Sequence, residues 1–430
     1  MKKLIFIVID GGADTPNPKI NGKTAFEAAN IPNVDFLARN GKNGIMQILP
    51  IPPESDEAVI SLLGYNVFKV YTGRGPLEAI GGGVPFKEGD LALRCNFATV
   101  ENGNVVNVRA GAISQMEAKE LEKSILERVK LTNADFEFKS TAGYRGVLVI
   151  KSKEKLSSNI TNTHPGYMLH LLDVYWSRGG EIKSVPLSGA VKKSSLKLQK
   201  CEPLDNSKSA ATSARLVNEF IEKSRKVLEN HPINKRRIAQ GKPPANIILV
   251  RDAGTRFPKL YNLSKTFNTR WACFVDMPVE RGIAQLSGMD IIPIPPPSEN
   301  AKRDMEIRVL SLLKNYNLYD AFYIHLKGPD VFSHLGDIEG KVKSIETIDK
   351  YFIRPLLKNV DLMNTIIVVT CDHTTSTSKG VHTEDPVPVT IFGAGLPDSV
   401  SKFSEKDCKK GSLGLISSRS LMGYLMKLIK

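Results

Sequence analysis

The stretch "TIIVVTCDHTTSTSKGVH", Thr365 to His382, joins an apolar run to a polar loop. Its first half has the continuous β-branched character of a buried strand, and the run stops at Asp372 and His373. A loop of Thr, Ser and Gly then leads to another histidine, His382. The chain has only seven histidines in 430 residues, so two of them beside an aspartate in so short a stretch point to a chemical role.

Four other short apolar runs, at 4–9, 147–150, 247–250 and 322–324, have the same character. Such runs predict strands buried on both faces, as in a parallel sheet under helices. Helical periodicity lies between them, at 115–129, 209–229 and 304–315. The pattern predicts an α/β fold. A chain of 430 residues exceeds the size of most single cores, so two domains are expected.

Four of these runs are followed by polar or charged side chains. These side chains are Asp10, then Arg251 with Asp252, then Lys327 and Asp330, and finally Asp372 with His373. In open α/β sheets, ligands bind outside the carboxyl ends of the strands. If the first run and the last two share a sheet, residues from opposite ends of the chain meet at one site. The segment between them is then a domain inserted into the first.

The candidate ligands suit a pair of divalent ions. Asp330 and His334 are four residues apart, which places them on one side of a helical turn. With Asp10, Asp372, His373 and His382 they make three carboxylates and three imidazoles, too many for one ion. Oxygen and nitrogen donors without thiolate favour Mn²⁺, Zn²⁺, Co²⁺ or Mg²⁺. Any one of these residues alone is ordinarily a hydrogen-bonded polar side chain, and the grouping is what favours metal. Cys371 is interpreted as packed in its strand.

Two adjacent divalent ions clamp the attacking and leaving oxygens in displacement at phosphorus, and they activate a serine hydroxyl. The segment "IPPESDEAVISLLGY" offers Ser55 after two prolines and ahead of a helical pattern. Ser55 is equally interpreted as the N-cap of that helix, with Asp56 and Glu57 complementing the helix dipole. The two roles are compatible.

The composition narrows the class of protein. The net charge of +14 fits a basic surface, attraction of an anionic substrate, or nucleic-acid binding, in that order, because basic residues interleaved with aromatics are absent. The apolar run at 4–9 is too short for a signal peptide, and no run has the length of a membrane span. Five scattered cysteines indicate a reducing cytoplasm.

Eight segments together resemble a known family. In chain order they are "IVIDGGAD", "ESDEAVISLLGY", "YTGRGPLEAIGGG", "LRCNF", "HPINKRRIAQGKPPANIILVRDAG", "HLKGPDVFSHLGD", "IETID" and "CDHTTSTSKGVHTEDPVPVTIFG". They resemble the motifs of the 2,3-bisphosphoglycerate-independent phosphoglycerate mutases, in their archaeal-type branch, over essentially the whole chain. The resemblance implies an α/β fold with an alkaline phosphatase-like central sheet and helices on both faces. It also implies a metal-binding domain at 1–70 and 268–430, interrupted by an inserted α/β substrate-binding domain at 71–267.

The resemblance further implies the site. Two manganese-type ions are expected, with Mg²⁺, Co²⁺ or Zn²⁺ as alternatives, and 2,3-bisphosphoglycerate is not required. The first ion would be held by Asp10, Ser55, Asp372 and His373, and the second by Asp330, His334 and His382. Ser55 would become phosphoserine while 3-phosphoglycerate and 2-phosphoglycerate interconvert. The alternative is a related alkaline phosphatase-like phosphomutase or a phosphatase.

A mutase must keep water from the phosphoserine and hold the glycerate, tasks for the inserted domain. Arg251, Arg145 and Arg94 are the candidates for binding carboxylate or phosphate, together with Lys327. His164, in "TNTHPG", is equated with a substrate-contacting histidine of the bacterial branch, and a surface-loop histidine is the alternative. Where relatives usually have Ser-Thr-Pro, this chain has Thr374, Thr375 and Ser376, which are not ligand positions. The expected partner is phosphoglycerate, with no nucleic acid or membrane.

Overall fold

The computed structural model describes residues 1–175, 182–190 and 196–430. The strands, numbered in chain order, are β1 (Lys3–Ile9), β2 (Gly41–Gln47), β3 (Leu91–Glu101), β4 (Asn104–Asn107), β5 (Ala134–Ala142), β6 (Arg145–Ser152), β7 (Tyr167–Tyr175), β8 (Ile182–Ala190), β9 (Ile247–Gly254), β10 (Trp271–Phe274), β11 (Asp290–Ile291), β12 (Ala321–Leu326), β13 (Thr365–Cys371), β14 (Thr374–Ser376), β15 (Val381–Thr383), β16 (Val387–Phe392) and β17 (Gly414–Ser417).

The α-helices are α1 (Ala25–Ala28), α2 (Pro32–Arg39), α3 (Ser55–Leu62), α4 (Val67–Val70), α5 (Arg74–Gly82), α6 (Gln115–Arg128), α7 (Lys208–Glu229), α8 (Pro232–Ala239), α9 (Leu263–Phe267), α10 (Pro278–Ser287), α11 (Ala301–Asn315), α12 (Pro329–Leu335), α13 (Ile338–Ile348), α14 (Arg354–Asn359), α15 (Glu405–Cys408) and α16 (Ser418–Ile429). A 3₁₀ turn spans Pro18–Ile20, and a π-helical stretch, Asp349–Ile353, joins α13 to α14.

The chain divides into two compact units. The first comprises Met1–Lys69, Leu260–Asp276 and Ala284–Lys430, and the second comprises Val70–Lys259 and Met277–Ile283. In sequence, the second unit therefore interrupts the first.

The first unit is built on a mixed sheet with strand order β11-β10-β12-β1-β13-β16-β2-β17. Its centre is parallel, because β1 pairs in parallel with both β12 and β13. All side chains of β12 and β13 are buried. Since successive side chains of a strand point to opposite faces, both faces of the sheet are covered. The predicted α/β class is confirmed, and so is the expectation that the runs at 4–9, 322–324 and 366–369 share one sheet.

The register of the three central strands sets where their polar ends lie. Ile9 is paired with Leu326 on one side and with Cys371 on the other. The residues that follow, Asp10, Lys327 and Asp372, therefore leave the sheet at the same level. Residues more than 300 positions apart in sequence thus reach one edge.

The second unit contains an antiparallel sheet in which β3 pairs with β4, β6 and β9, and β5 pairs with β6. A separate hairpin pairs β7 with β8. The runs at 147–150 and 247–250 are strands of this sheet, so the prediction of parallel strands is wrong for both. They lack polar alternation because α6 and α7 cover one face with an apolar core while smaller apolar clusters line the other.

None of the helices in the described part of the chain has the length and apolar character that a bilayer span needs. The five cysteines are buried thiols. Cys371 lies within β13, where burial raises its pKa well above the ordinary value, as expected of a packed thiol.

Candidate active site

The first group of donors collects around Asp10 and Asp372 at the end of the parallel strands. Asp372 uses Oδ1 to accept hydrogen bonds from the backbone N–H of Gly11, at 2.9 Å, and of His373, at 3.0 Å. Asp10 uses Oδ2 in an ion pair with Lys327 Nζ, at 3.2 Å. The other two oxygens, Asp10 Oδ1 and Asp372 Oδ2, are buried and receive no hydrogen bond from the described residues. A buried carboxylate oxygen without a donor is costly, so these atoms fit a bound cation.

Imidazole nitrogens complete the first group. His373 Nε2 lies 3.2 Å from Asp372 Oδ2 and 3.8 Å from Asp10 Oδ1. His325 Nε2 lies 3.3 Å from the first oxygen and 3.6 Å from the second. Burial opposes ionisation of Asp372, but the two neighbouring imidazoles, His373 and then His325, outweigh it and hold its pKa well below the usual range. His325 is absent from the set predicted by the motifs.

Ser55 is the first residue of α3, and its hydroxyl faces this group. Its Oγ lies 3.3 Å from His373 Nε2. The interpretation of Ser55 as an N-cap is wrong, because Glu54 caps the helix and forms a capping box with Glu57. Two carboxylates thus meet the capping requirement, and the serine hydroxyl is not used for it.

The second group of donors comprises Asp330, His334 and His382. The first two lie on α12, where Asp330 Oδ2 is 3.3 Å from His334 Nε2. His382, on β15, places Nε2 3.5 Å from Asp330 Oδ1. One ligand atom from each residue lies within 4.8 Å of the others. Burial opposes the charge on His382, but the neighbouring carboxylate of Asp330 raises its pKa to about 10.

Backbone carbonyls fix the tautomer of both imidazoles in the second group. His334 Nδ1 lies 2.9 Å from the carbonyl oxygen of Gly380, and His382 Nδ1 lies 2.8 Å from that of Pro53. A carbonyl only accepts hydrogen bonds, so Nδ1 carries the proton in each ring. In the neutral rings Nε2 then has its lone pair directed at Asp330, the arrangement typical of metal-ligating histidines.

The hydroxyl of Thr375 links the two groups. It donates to Asp330 Oδ1 at 2.8 Å and therefore accepts from His373 Nδ1 at 3.0 Å. Gly11 makes this close approach possible. It has φ +56°, and a Cβ there would lie 2.6 Å from both Asp330 Oδ1 and Thr375 Oγ1. The rings of His373 and His382 stack with centroids 3.8 Å apart, so the groups are neighbours.

Arginines gather in the second unit, on the face of the antiparallel sheet opposite α6 and α7. Arg94 on β3 is paired in register with Arg251 on β9. β9 continues past Arg251 to Gly254. Arg251 thus lies within its strand, and its expected position after the strand end is wrong. Glu78 Oε1 accepts hydrogen bonds from Arg94 Nη1, at 2.6 Å, and from Arg74 Nε, at 3.0 Å.

These arginines repel one another. Burial, and then the charge of Arg74, lowers the pKa of Arg94 to about 10, with further lowering from Arg251 and Arg145, although Glu78 opposes it. Arg145 lies over the Tyr144 ring at 4.9 Å from its centroid. Arg251 is also ion-paired with Asp252. A group of guanidinium ions close enough to repel one another favours an anion.

His164 lies beside these arginines and is 3% exposed, so it is not a surface-loop residue. Its Nδ1 accepts a hydrogen bond from the N–H of Gly166 at 3.2 Å. Burial, and then the charges of Arg251 and Arg94, lowers its pKa to about 3. The ring is therefore neutral at pH 7.

Carboxylates and imidazoles collected at the carboxyl ends of adjacent parallel strands are typical of α/β enzymes that bind divalent ions. The model of the family described as 2,3-bisphosphoglycerate-independent phosphoglycerate mutase matches residues 38–234. A relative of that name from Methanopyrus kandleri is 36% identical over 435 residues, covering 99% of this chain and 96% of the relative. One from Methanocaldococcus jannaschii is 36% identical over 430 residues, covering 99% and 97%. The chain belongs to this family, as its motifs predict.

Two solved structures agree with the fold. The cofactor-independent phosphoglycerate mutase from Thermoplasma acidophilum is 31% identical, with a TM-score of 0.61 and 100% of both chains covered. A protein from Pyrococcus horikoshii is 28% identical, with a TM-score of 0.75, covering 100% of this chain and 97% of the other.

Proposed function

We propose that this chain interconverts 3-phosphoglycerate and 2-phosphoglycerate without 2,3-bisphosphoglycerate, in glycolysis and gluconeogenesis, and that the phosphoryl group passes through Ser55. Full-length similarity to relatives named for this activity supports the reaction. The observation that carries the route is the position of Ser55 Oγ, 3.3 Å from His373 Nε2 and at the start of α3. A hydroxyl beside a ligand group is poised for phosphoryl transfer.

In this proposal the first ion is held by Asp10, Ser55, Asp372 and His373, and the second by Asp330, His334 and His382. Support comes from three buried atoms in the two groups that have no hydrogen-bond partner among the described residues: Asp10 Oδ1, Asp372 Oδ2 and His382 Nε2. Oxygen and imidazole donors suit Mn²⁺, with Mg²⁺, Co²⁺ and Zn²⁺ as alternatives. Bound divalent ions supply a lowered pKa for the serine hydroxyl and neutralisation of the phosphoryl oxygens.

The phosphoryl group is transferred in two steps, first to Ser55 and then back to the glycerate. Ser55 Oγ forms a bond to phosphorus as the bond between phosphorus and the C3 oxygen breaks, and the serine proton passes to that oxygen, which becomes the C3 hydroxyl. The start of α3 stabilises the resulting phosphoserine through its dipole. The glycerate then presents its C2 hydroxyl, which takes the phosphoryl group back and returns a proton to Ser55. Lys327, paired with Asp10, contributes positive charge near the transferring group.

We assign the metal chemistry to the unit containing both ends of the chain, and substrate binding to the inserted unit. Arg94, Arg145 and Arg251 bind the anionic groups of phosphoglycerate. Support comes from the burial of Arg94 and its repulsion by the neighbouring arginines, which together depress its pKa, since a bound carboxylate or phosphate relieves the repulsion. His164 adds a neutral imidazole beside the arginines. The buried thiols fit a cytoplasmic setting.

The test replaces Ser55 by Ala and follows 3-phosphoglycerate with Mn²⁺, coupled to enolase. We expect turnover to fall by about 10⁴-fold or more while both ions still bind. Ser61→Ala is the matched control, because it removes a buried hydroxyl from the same helix, one that bonds Ser418 instead. Mass spectrometry of acid-quenched wild type should find phosphate on Ser55. Full activity of Ser55→Ala would refute the route, and free phosphate without phosphoenolpyruvate would indicate a phosphatase.

A further inference from the structure

His325 is a buried imidazole that faces the first group of donors. It lies in β12, is 0% exposed, and its Nε2 is 3.3 Å from Asp372 Oδ2 and 3.6 Å from Asp10 Oδ1. His373 Nε2 has nearly the same relation to these two oxygens, at 3.2 and 3.8 Å. The two imidazoles are therefore geometrically alike with respect to the carboxylates, although only His373 belongs to the set that the motifs imply.

The topology explains the likeness. β1 is flanked by β12 and β13, and Asp10 follows β1. His373 is the second residue after the end of β13, and His325 is the penultimate residue of β12. The two rings thus reach the carboxylate oxygens from strands on opposite sides of β1.

The distances favour shared coordination over direct hydrogen bonds. A hydrogen bond from a ring N–H to a carboxylate is normally about 2.7–3.2 Å long, and charge-assisted ones lie at the short end. Two atoms that each lie about 2.1 Å from one ion are about 3.0 Å apart at a right angle, about 3.4 Å apart at a tetrahedral angle and about 3.6 Å apart at 120°. The separations of His325 Nε2 from the two oxygens, 3.3 and 3.6 Å, are those of atoms that share an ion.

We propose that His325 Nε2 is an additional ligand of the first metal site, beside Asp10, Ser55, Asp372 and His373. The inference rests on the proposed metal site and deepens it, since each of the two sites then has two imidazoles. Imidazole donors favour transition ions, whereas carboxylate and water suit Mg²⁺. The first site therefore prefers Mn²⁺, Co²⁺ or Zn²⁺ over Mg²⁺, and His325 contributes to that preference.

The experiment titrates the metal-free full-length protein with Co²⁺ and with Mg²⁺ by calorimetry, and records the visible spectrum of bound Co²⁺. The variants are His325→Ala, His325→Gln and His373→Ala, and His334→Ala identifies the isotherm of the second site. Gln is informative because its amide can still donate a hydrogen bond to Asp372 but does not provide an imidazole ligand. The matched control is His231→Asn, since His231 caps α8 by accepting from Ile233 N–H and Asn is also a good N-cap.

We expect His325→Ala to weaken Co²⁺ binding at the first site by about 100-fold, the upper end of the range for loss of a residue that only orients a ligand. His325→Gln should do the same, the Co²⁺ spectrum should change in both, and the Mg²⁺ affinity should change less. A loss below about 10-fold in His325→Ala, or recovery in His325→Gln, would overturn the inference and leave the proposed function intact. If the wild type binds no ions, or if His373→Ala binds them as the wild type does, the proposed metal site itself falls and this inference falls with it.

Discussion

Replacement of Glu78 by Gln tests how the arginines of the inserted unit are held together. Glu78 is 1% exposed, and its Oε1 accepts from Arg94 Nη1 and Arg74 Nε, at 2.6 and 3.0 Å. Burial opposes ionisation of Glu78, but the charges of Arg94 and Arg74 more than compensate and lower its pKa. The carboxylate is therefore charged at neutral pH, and it offsets the repulsion between the two guanidinium groups.

The magnitude follows from the burial of all three partners. Arg94 is 5% exposed and Arg74 is 7% exposed, so solvent cannot replace the lost carboxylate without rearrangement. Removing one partner of a buried ion pair typically costs 3–5 kcal/mol. The Gln amide oxygen can still accept one neutral hydrogen bond, so we expect the lower end, about 3 kcal/mol.

Hydrogen exchange followed by mass spectrometry reports this loss for each unit separately. Peptides from β3 and β9 should exchange about 10²-fold faster in Glu78→Gln, since each 1.4 kcal/mol is a factor of ten, while peptides from β1 and β13 should keep the wild-type rate. Glu127→Gln is the matched control, because its exposed pair with Lys123, at 3.9 Å, contributes little. Inorganic phosphate should slow exchange in the variant by restoring negative charge among the arginines.

Wild-type exchange rates of β3 and β9 in Glu78→Gln would refute this reasoning about the ion pairs. Faster exchange that phosphate leaves unchanged would keep the structural role of Glu78. It would, however, contradict the assignment of these arginines to anion binding.

Two further predictions concern single side chains. Thr375→Val removes the hydroxyl that holds both His373 and Asp330, so calorimetry should show Mn²⁺ binding weakened at both sites by about 10–100-fold. Thr375→Ser should restore the affinity. Unchanged affinity in Thr375→Val would contradict the role of this hydroxyl in linking the two groups. Burial, and then the charges of Arg251 and Arg94, lower the pKa of His164 to about 3. Between pH 6.5 and pH 3 the unfolded chain therefore binds a proton that the folded chain does not, so the free energy of unfolding decreases as the pH is lowered. The loss should reach about 2 kcal/mol by pH 5. The NMR signal of the His164 Cε1 proton, assigned by its absence in His164→Gln, should not titrate above pH 5, and a midpoint above pH 5 would contradict this.

The sequence predicts the central sheet of the first unit well because its strands are apolar throughout and end in charged residues. Asp10 and Asp372 follow such strands directly, and parallel strands bring their carboxyl ends to one edge. Asp330 and His334 are predicted as neighbours because their spacing matches one helical turn. For Asp330 and His334 the pattern and the contact have the same short-range cause, whereas Asp10 and Asp372 meet because two distant strands pair in parallel.

The second unit is predicted less well, since burial on both faces does not distinguish parallel from antiparallel strands. The pairing of Arg94 with Arg251 depends on a register shift between Ala92 and Arg94 that no local pattern reveals. Arg74 lies in the quoted segment "YTGRGPLEAIGGG", and its spacing of four from Glu78 on a helix is the one signal that would have singled it out.

His325 is missed for a different reason. It lies inside the apolar run of β12 rather than after it, and a histidine in that position is most simply a packed core residue. The signal available in the sequence is a polar side chain two positions before Lys327, hence on the same face of the strand. Only the pairing of β12 with β1 shows that this face meets Asp10.

The site also shows why the residues around the ligands matter as much as the ligands. Asp372 Oδ1 accepts hydrogen bonds from two backbone N–H groups, and Nδ1 of His334 and of His382 donates to a backbone carbonyl. The other polar atom of each side chain, Oδ2 or Nε2, is therefore directed at the site before an ion binds. Such anchoring lowers the entropy lost on binding, because the rotamers are already fixed. These anchors are main-chain atoms, and a substitution cannot remove them directly. Thr375 is the exception, a side-chain anchor shared by both groups, which makes its hydroxyl the position where the coupling of the two metal sites is open to mutation.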